Sequence, residues 1–274
     1  MNQRIAFVGG GNMATSLIGG LLARGAAPSD FVVADPDANQ RQRLQDAFAI
    51  ATVPSAVAAV EGASTVVLAV KPQQMAAVSR SIAAPVQAAR ALVISIAAGI
   101  RLRDIERWLG KGVPLIRTMP NRPALIGAGI TALFAAPDVS TASRQTAEAI
   151  LAACGPTVWV PTEEQIDVVT AVSGSGPAYF FLLVECLEAA GIELGLDPPT
   201  ARKLAVETAR GAGRMAAESL ESPAELREQV TSKGGTTAAA LDVLEAAGVR
   251  GIFAAAVAAG ARRATALADE FGAP

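Results

Sequence analysis

Hydrophobic positions open the chain as a four-residue run, Ile5-Ala6-Phe7-Val8, followed by Gly9-Gly10-Gly11 and then by Met13, Leu17, Leu21 and Leu22 at helical spacing. A short continuous apolar run reads as a buried strand and a period near 3.6 as an amphipathic helix, so this segment predicts strand, turn, helix. Apolar runs recur at Phe31 to Ala34, Ser64 to Val70, Ala91 to Ile96, Pro114 to Arg117, Gly129 to Phe134 and Thr157 to Val160. Helix-length segments separate the early runs, the alternation that builds a parallel, doubly wound sheet. Past Pro161 the pattern becomes long Ala-, Leu- and Glu-rich segments of helical period, interrupted by Gly191, Gly195, Pro198-Pro199, Pro223 and Gly234-Gly235. The expectation is an α/β chain with a sheet domain over residues 1–161 and an all-helical domain over 162–274.

Composition sharpens this picture. Hydrophobic residues make up 51% of the chain but aromatics only 4%, so the core must be built from Ala, Val, Leu and Ile. Small-residue surfaces such as Phe253 to Ala261 let helices approach closely, within one chain or between two. A net charge of −2 with scattered Arg and Lys lacks the basic footprint of a nucleic-acid binder, so no nucleic-acid partner is expected. No uninterrupted apolar stretch reaches the ~18 residues of a spanning helix; Tyr179 to Val184 stops at Glu185. The four apolar residues after Met1 to Arg4 are too few for a signal-peptide core. A soluble cytoplasmic protein without a membrane partner is expected, with Cys154 and Cys186 as small buried hydrophobes suited to a reducing compartment. The chain has no histidine, which excludes catalytic triads and imidazole bases and removes the commonest zinc ligand. No metal site is expected, and the chemistry must need little proton handling by side chains.

The glycine loop carries the first functional signal. Gly9-Gly10-Gly11-Asn12-Met13-Ala14 fits G-x-G-x-x-A directly after a strand and at the opening of a helix. In that context the first glycine permits the tight turn, Gly11 admits a pyrophosphate to the helix amides, and Ala14 lets helix pack on strand. This is the signature of a Rossmann dinucleotide-binding domain. Asp35, 24 residues after Gly11, stands near the spacing at which an acid meets the adenosine ribose. A carboxylate there repels a 2′-phosphate, whereas Arg41 or Arg43 would attract one, so the choice between NADH and NADPH stays open. Ala69-Val70-Lys71-Pro72 and Ala97-Ala98-Gly99 end later strands, where open sheets place ligands, and the small residues at 97–99 leave room for a flat nicotinamide ring. By residue type alone, Ser232 and Thr237 read as helix N-caps and Gly234-Gly235 as a turn. The same residues can also form an anion nest, with Thr237 offering a hydroxyl.

Five motifs in order resemble one family. They are the N-terminal glycine loop, Ala69-Val70-Lys71-Pro72, Met119-Pro120-Asn121 with Pro123, Val172 to Tyr179, and Val230-Thr231-Ser232-Lys233-Gly234-Gly235-Thr236-Thr237. In order and spacing they are similar to pyrroline-5-carboxylate reductase over essentially the whole chain, and the last motif is highly specific. The resemblance implies reduction of the cyclic imine L-1-pyrroline-5-carboxylate to L-proline by NADPH or NADH. It implies that Thr237 is catalytic and that Ser232, Gly234, Gly235, Thr236 and Thr237 bind the substrate. Gly9, Gly10, Gly11, Asn12, Met13, Asp35, Ala69, Val70, Lys71, Pro72, Ala97, Ala98, Gly99 and Asn121 are expected to bind the cofactor. It further implies that the helical domain is a dimerisation domain, that the protein is a homodimer, and that five dimers can form a decamer. Arg122, where a Thr is common, and Ala56, where many members carry Asn, depart from the pattern.

Overall fold

A computed structural model describes residues 4–272; the N-terminal reading on Met1, Asn2 and Gln3 lies outside the described residues. The strands are β1 (Ile5–Val8), β2 (Phe31–Ala34), β3 (Ala51–Val53), β4 (Thr65–Leu68), β5 (Leu92–Ser95), β6 (Leu115–Met119), β7 (Thr131–Ala135) and β8 (Thr157–Trp159). The helices are α1 (Asn12–Ala23), α2 (Ala38–Phe48), α3 (Ala56–Val60), α4 (Pro72–Ala89), α5 (Leu102–Leu109), α6 (Thr141–Leu151), α7 (Glu164–Val169), α8 (Gly176–Glu193), α9 (Pro198–Glu218), α10 (Pro223–Gln229), α11 (Thr236–Ala246) and α12 (Val249–Phe271). They pack as two compact units, one of residues 1–175 with 259–274 and one of residues 176–258.

In the first unit the strands form one sheet in the order β3-β2-β1-β4-β5-β6-β7-β8. Helices cover both faces, and so the strands read as unbroken apolar runs. Ala6, Val8, Val66 and Leu68 point to the face held by Met75, Ile82, Val86 and Ile105. Ile5, Phe7, Val67 and Ile94 point to the face held by Leu17, Ile18, Leu44 and Ile150. Two features depart from the sequence reading. The strand β3 has no counterpart in it, because Ala51-Thr52-Val53 is three residues long and half-exposed at the sheet edge. The sheet is also not wholly parallel: β7 runs antiparallel to β6, with Met119 opposite Ala132. The link between them holds only the short helical turn Arg122–Ile126, and a parallel return needs a full crossover, usually a helix.

The second unit is helical. Gly191 of α8 lies against Ala201 of α9, where an added Cβ would stand 3.3 Å from the alanine methyl. Its apolar residues are largely outside: Phe180 and Phe181 of α8 are 66% and 60% exposed in the single chain. Cys154 is buried as expected, and burial pushes its thiol pKa up. Cys186 is exposed, against expectation, because it shares α8 with those outward apolar residues. The continuous helical stretch Glu164–Glu193 is long and apolar enough to cross a membrane by length and composition. Sequence runs hid this, since Glu185 and Glu188 interrupt the apolar residues without lowering the helix average beyond that limit.

A buried charge cluster holds the first unit together beyond its strands. Arg117 of β6 is 1% exposed, donating from Nη2 to Asp167 Oδ1 at 2.7 Å and from Nη1 to Glu163 Oε1 at 3.3 Å. Asp167 Oδ2 accepts the Thr265 hydroxyl of α12 at 3.2 Å, and Glu163 Oε1 accepts the Leu102 amide at the start of α5 at 2.7 Å. Removing one member strands the other charges without partners, which for buried pairs costs about 3–5 kcal/mol. Arg117→Met is therefore expected to lower the unfolding free energy by about 3 kcal/mol or more, measured by urea denaturation. An unchanged midpoint would show that the cluster contributes nothing to stability.

Candidate active site

The carboxyl ends of β1, β2 and β4 open on a cleft of about 670 Å³ lined by Gly9, Gly11, Asp35, Ala69, Val70 and Lys71, among others. Gly9 turns out of β1 with φ +101°, its amide donating to Ala34 O at 2.8 Å, and an added Cβ would stand 2.7 Å from Ala69 O. Only glycine combines that φ with so close a neighbouring strand. Gly11 is the N-cap of α1 and makes no side-chain cap bond; an added Cβ there meets nothing within 4 Å. The first amides of α1 thus face a space that no side chain enters. A helix start of this kind attracts a phosphate through its free N–H groups and the positive end of its dipole. The residues present therefore fit a dinucleotide pyrophosphate.

Asp35 sits at the end of β2 on the cleft wall. Its Oδ2 accepts the Gly10 amide at 2.9 Å and its Oδ1 the Asp37 amide at 2.9 Å, so the carboxylate is fixed by backbone donors. Arg41 donates to the backbone carbonyls of Asp35 and Pro36 at 2.8 and 3.0 Å. Arg43 is exposed. Lys71 is the exposed N-cap of α4, and Pro72 sets the first helical residue.

Several expected residues lie elsewhere. Gly10 packs inward, its Cβ direction blocked by Leu44 at 2.7 Å. Asn12, Met13, Pro72, Ala97, Ala98, Gly99 and Asn121 are outside the cleft lining. Asn121 is buried; its Nδ2 donates to Ser173 O at 3.2 Å and its Oδ1 accepts the Ile130 amide at 3.0 Å. Its side chain thus ties the β6–β7 link to the π-helical turn Thr170–Gly174. Gly174 in that turn leaves room for the Met119 methyl group, 2.6 Å from where a Cβ would stand. Sequence reasoning missed Pro54, Gln73, Gln74, Ala77 and Val78 on the cleft wall. The last four follow Lys71 on the first turns of α4, a position the strand-end signal already marked. Pro54 could not be placed without β3.

In the second unit, Ser232 to Thr237 links α10 to α11. Gly234 has φ +71°, the Gly235 amide donates to Ser232 O at 3.0 Å, and Gly235 is the N-cap of α11 with no side-chain cap bond. Ser232 and Thr237 are therefore not helix caps. The Ser232 hydroxyl lies over Gly235, 2.4 Å from where a Cβ would stand, so a side chain there would displace that hydroxyl. Thr236 and Thr237 are the first two residues of α11, with the Thr237 side chain half-buried. Among the described residues no group of three His, Cys, Asp or Glu could hold a metal ion.

Residues 163–267 match the family model described as pyrroline-5-carboxylate reductase dimerisation, and residues 4–99 match that described as NADP oxidoreductase coenzyme F420-dependent. A pyrroline-5-carboxylate reductase from Pseudomonas aeruginosa is 47% identical, covering 98% of this chain and 98% of its own length. A Synechocystis counterpart is 40% identical over 97% of this chain and 99% of its own. The solved structure of a Coxiella burnetii pyrroline-5-carboxylate reductase superposes with a TM-score of 0.94 at 40% identity, covering 97% and 99% of the two chains. A Plasmodium falciparum pyrroline carboxylate reductase with NADP bound superposes with a TM-score of 0.84 at 26% identity, covering 97% and 98%. The glycine loop makes a separable test. Gly11→Val should leave the melting temperature nearly unchanged while weakening dinucleotide binding at least about tenfold, the result expected of a side chain placed over a phosphate-binding helix start. Gly9→Ala should instead destabilise the fold. Unimpaired nucleotide fluorescence titration of Gly11→Val would remove the loop from the binding site.

Proposed function

The chain belongs to the pyrroline-5-carboxylate reductase family, and we propose that its Ser232–Thr237 loop binds the imine substrate while its glycine-loop cleft binds NAD(P)H. The reaction is reduction of L-1-pyrroline-5-carboxylate to L-proline, the last step of proline biosynthesis. The single observation that carries the substrate assignment is the start of α11: Gly235 is an N-cap without a side-chain bond, followed by two threonines.

When bound, NAD(P)H supplies the hydride that adds to the imine carbon, and the nitrogen ends with the proton. The amides of Thr236 and Thr237, at the positive end of α11, hold the substrate carboxylate, and the Ser232 hydroxyl supports it. Thr237 offers its hydroxyl to the ring nitrogen and so fixes which carbon faces the donor. A protonated imine needs no side-chain base, which accords with a chain that has no histidine. Positioning then accounts for most of the acceleration. On the nucleotide side, Gly9 and Gly11 seat the pyrophosphate, and Asp35 disfavours a 2′-phosphate.

The match to a dimerisation model marks the protein as a homo-oligomer. The finer reading is that residues 162–274 form the dimerisation and substrate domain, and that five dimers build a decamer. The outward phenylalanines of α8 support the pairing. Two free cysteines support a cytoplasmic setting.

Purified protein should oxidise NADH and NADPH only when pyrroline-5-carboxylate is supplied, with Thr237→Ala lowering kcat far more than it weakens nucleotide binding. Turnover unaffected by Thr237→Ala would take Thr237 out of the reaction. Replacing Asp35 with Ser should raise kcat/KM for NADPH relative to NADH by about tenfold, the effect of removing about 1.4 kcal/mol of repulsion. An unchanged ratio would assign the preference elsewhere.

A further inference from the structure

The loop Ile96 to Arg101 leaves β5 and enters α5, and its outer side is covered by the last turns of α12. Gly99 is buried with φ +69°; a Cβ there would stand 3.3 Å from both Leu267 Cβ and Phe271 Cδ2. Phe271 packs into the hydrophobic cluster that contains Ala97, Ile100 and Leu102. Polar ties reinforce the seat. Arg101 Nη1 donates to Asp269 Oδ1 at 2.6 Å, and Arg107 Nη2 donates to Gly272 O at 2.7 Å. Gly272 also lies against Asp104, whose buried Oδ2 would be 2.4 Å from a Cβ at that position. The loop's far end is fixed independently, by the Leu102 amide donating to Glu163 Oε1 at 2.7 Å.

Ala97 and Ile100 anchor the loop in the core, but few hydrogen bonds hold the backbone between them. Its ties to the sheet are the Ile96 amide on Leu68 O at 3.2 Å and a long contact from the Ala97 amide to Ser95 Oγ at 3.4 Å. The residues Ala97 to Gly99 carry no side chain that can brace the backbone, and a glycine at φ +69° adopts either sign of φ readily. A segment with few internal restraints must take its geometry from what packs on it.

We infer that the C-terminal turn Leu267–Gly272 is a positioning element for hydride transfer, a clamp that sets the Ala97–Gly99 backbone against which the nicotinamide ring rests. This rests on the assignment of Ala97–Gly99 to the nicotinamide end of the cofactor. Phe271 and Leu267 form the wall, and Asp269 with the Gly272 carbonyl fixes the wall to α5. None of these four residues touches the reacting atoms. Their effect passes through the loop, so it should separate binding from turnover: the pyrophosphate and adenosine contacts lie on β1, β2 and α1 and are left intact, whereas a ring displaced by a fraction of an ångström transfers hydride slowly.

The test uses the full chain carrying Asp269→Ala and Phe271→Ala together, with nucleotide affinity from fluorescence titration and the hydride step from stopped-flow absorbance at saturating substrates. The expected result is hydride transfer slowed about tenfold or more, nucleotide Kd changed by less than about twofold, and recovery of the rate in the conservative pair Asp269→Glu with Phe271→Leu. Loss of rate and affinity in parallel, or an unchanged rate, overturns the clamp. Ala98→Leu tests the underlying assignment separately. Slowed transfer in Ala98→Leu with none in the double variant overturns the clamp alone. An unaffected Ala98→Leu overturns the placement of the nicotinamide, and the clamp with it.

Discussion

A single guanidinium, that of Arg117, organises the meeting of three parts of the chain. It projects from the central sheet with 1% exposure, and a cation so buried is tolerable only when paired and hydrogen-bonded. Its partners determine the architecture around it. Asp167 belongs to the first helix after the sheet, Glu163 to the residue that opens it, and Thr265, bonded to Asp167, to the helix by which the chain returns. Glu163 also takes the first amide of α5, so the loop after β5 starts from a fixed helix end. The Arg117 Nε has no hydrogen-bond partner among the described residues, a cost the two ion pairs must offset.

From that frame the chemistry divides cleanly. The sheet unit supplies a helix start free of caps beside an acid fixed by backbone amides, a place for a dinucleotide. The helical unit supplies another helix start free of side-chain caps, bordered by hydroxyls, which we propose receives the substrate carboxylate. Both use the same physical device, N–H groups without side-chain caps at the positive end of a helix, and each is led by a glycine of positive φ, Gly9 and Gly234. A reaction that moves a hydride and leaves proton supply to the imine itself needs little more, which is why a chain without histidine can carry it.

Much of this was legible in the residues. Continuous apolar runs marked seven of the eight strands among the described residues because a sheet covered on both faces leaves no polar alternation to blur them. Ala51-Thr52-Val53 escaped because a three-residue edge strand has no periodicity to detect. The reversal of β7 escaped because direction is set by connection length, not by the strand's own residues. The tight turn at Gly9 and the helix start at Gly11 could be read, since their spacing after a strand encodes both. The bonds of Asn121 were not legible from its motif: its amide is held by Ser173 O and the Ile130 amide, partners that only the folded turn brings near. Cys186 misled because a hydrophobe on an apolar helix looks like core from sequence, yet α8 carries its apolar residues outward in the single chain.

The most direct test of the account is a crystal structure of the protein with NADP⁺ and L-proline bound. The account predicts the proline carboxylate on the amides of Thr236 and Thr237 near Ser232 Oγ, the ring nitrogen within hydrogen-bond distance of Thr237 Oγ1, and the pyrophosphate at the start of α1 beside Gly11. Proline bound away from the Ser232–Thr237 loop, with density for the nucleotide in place, would contradict it.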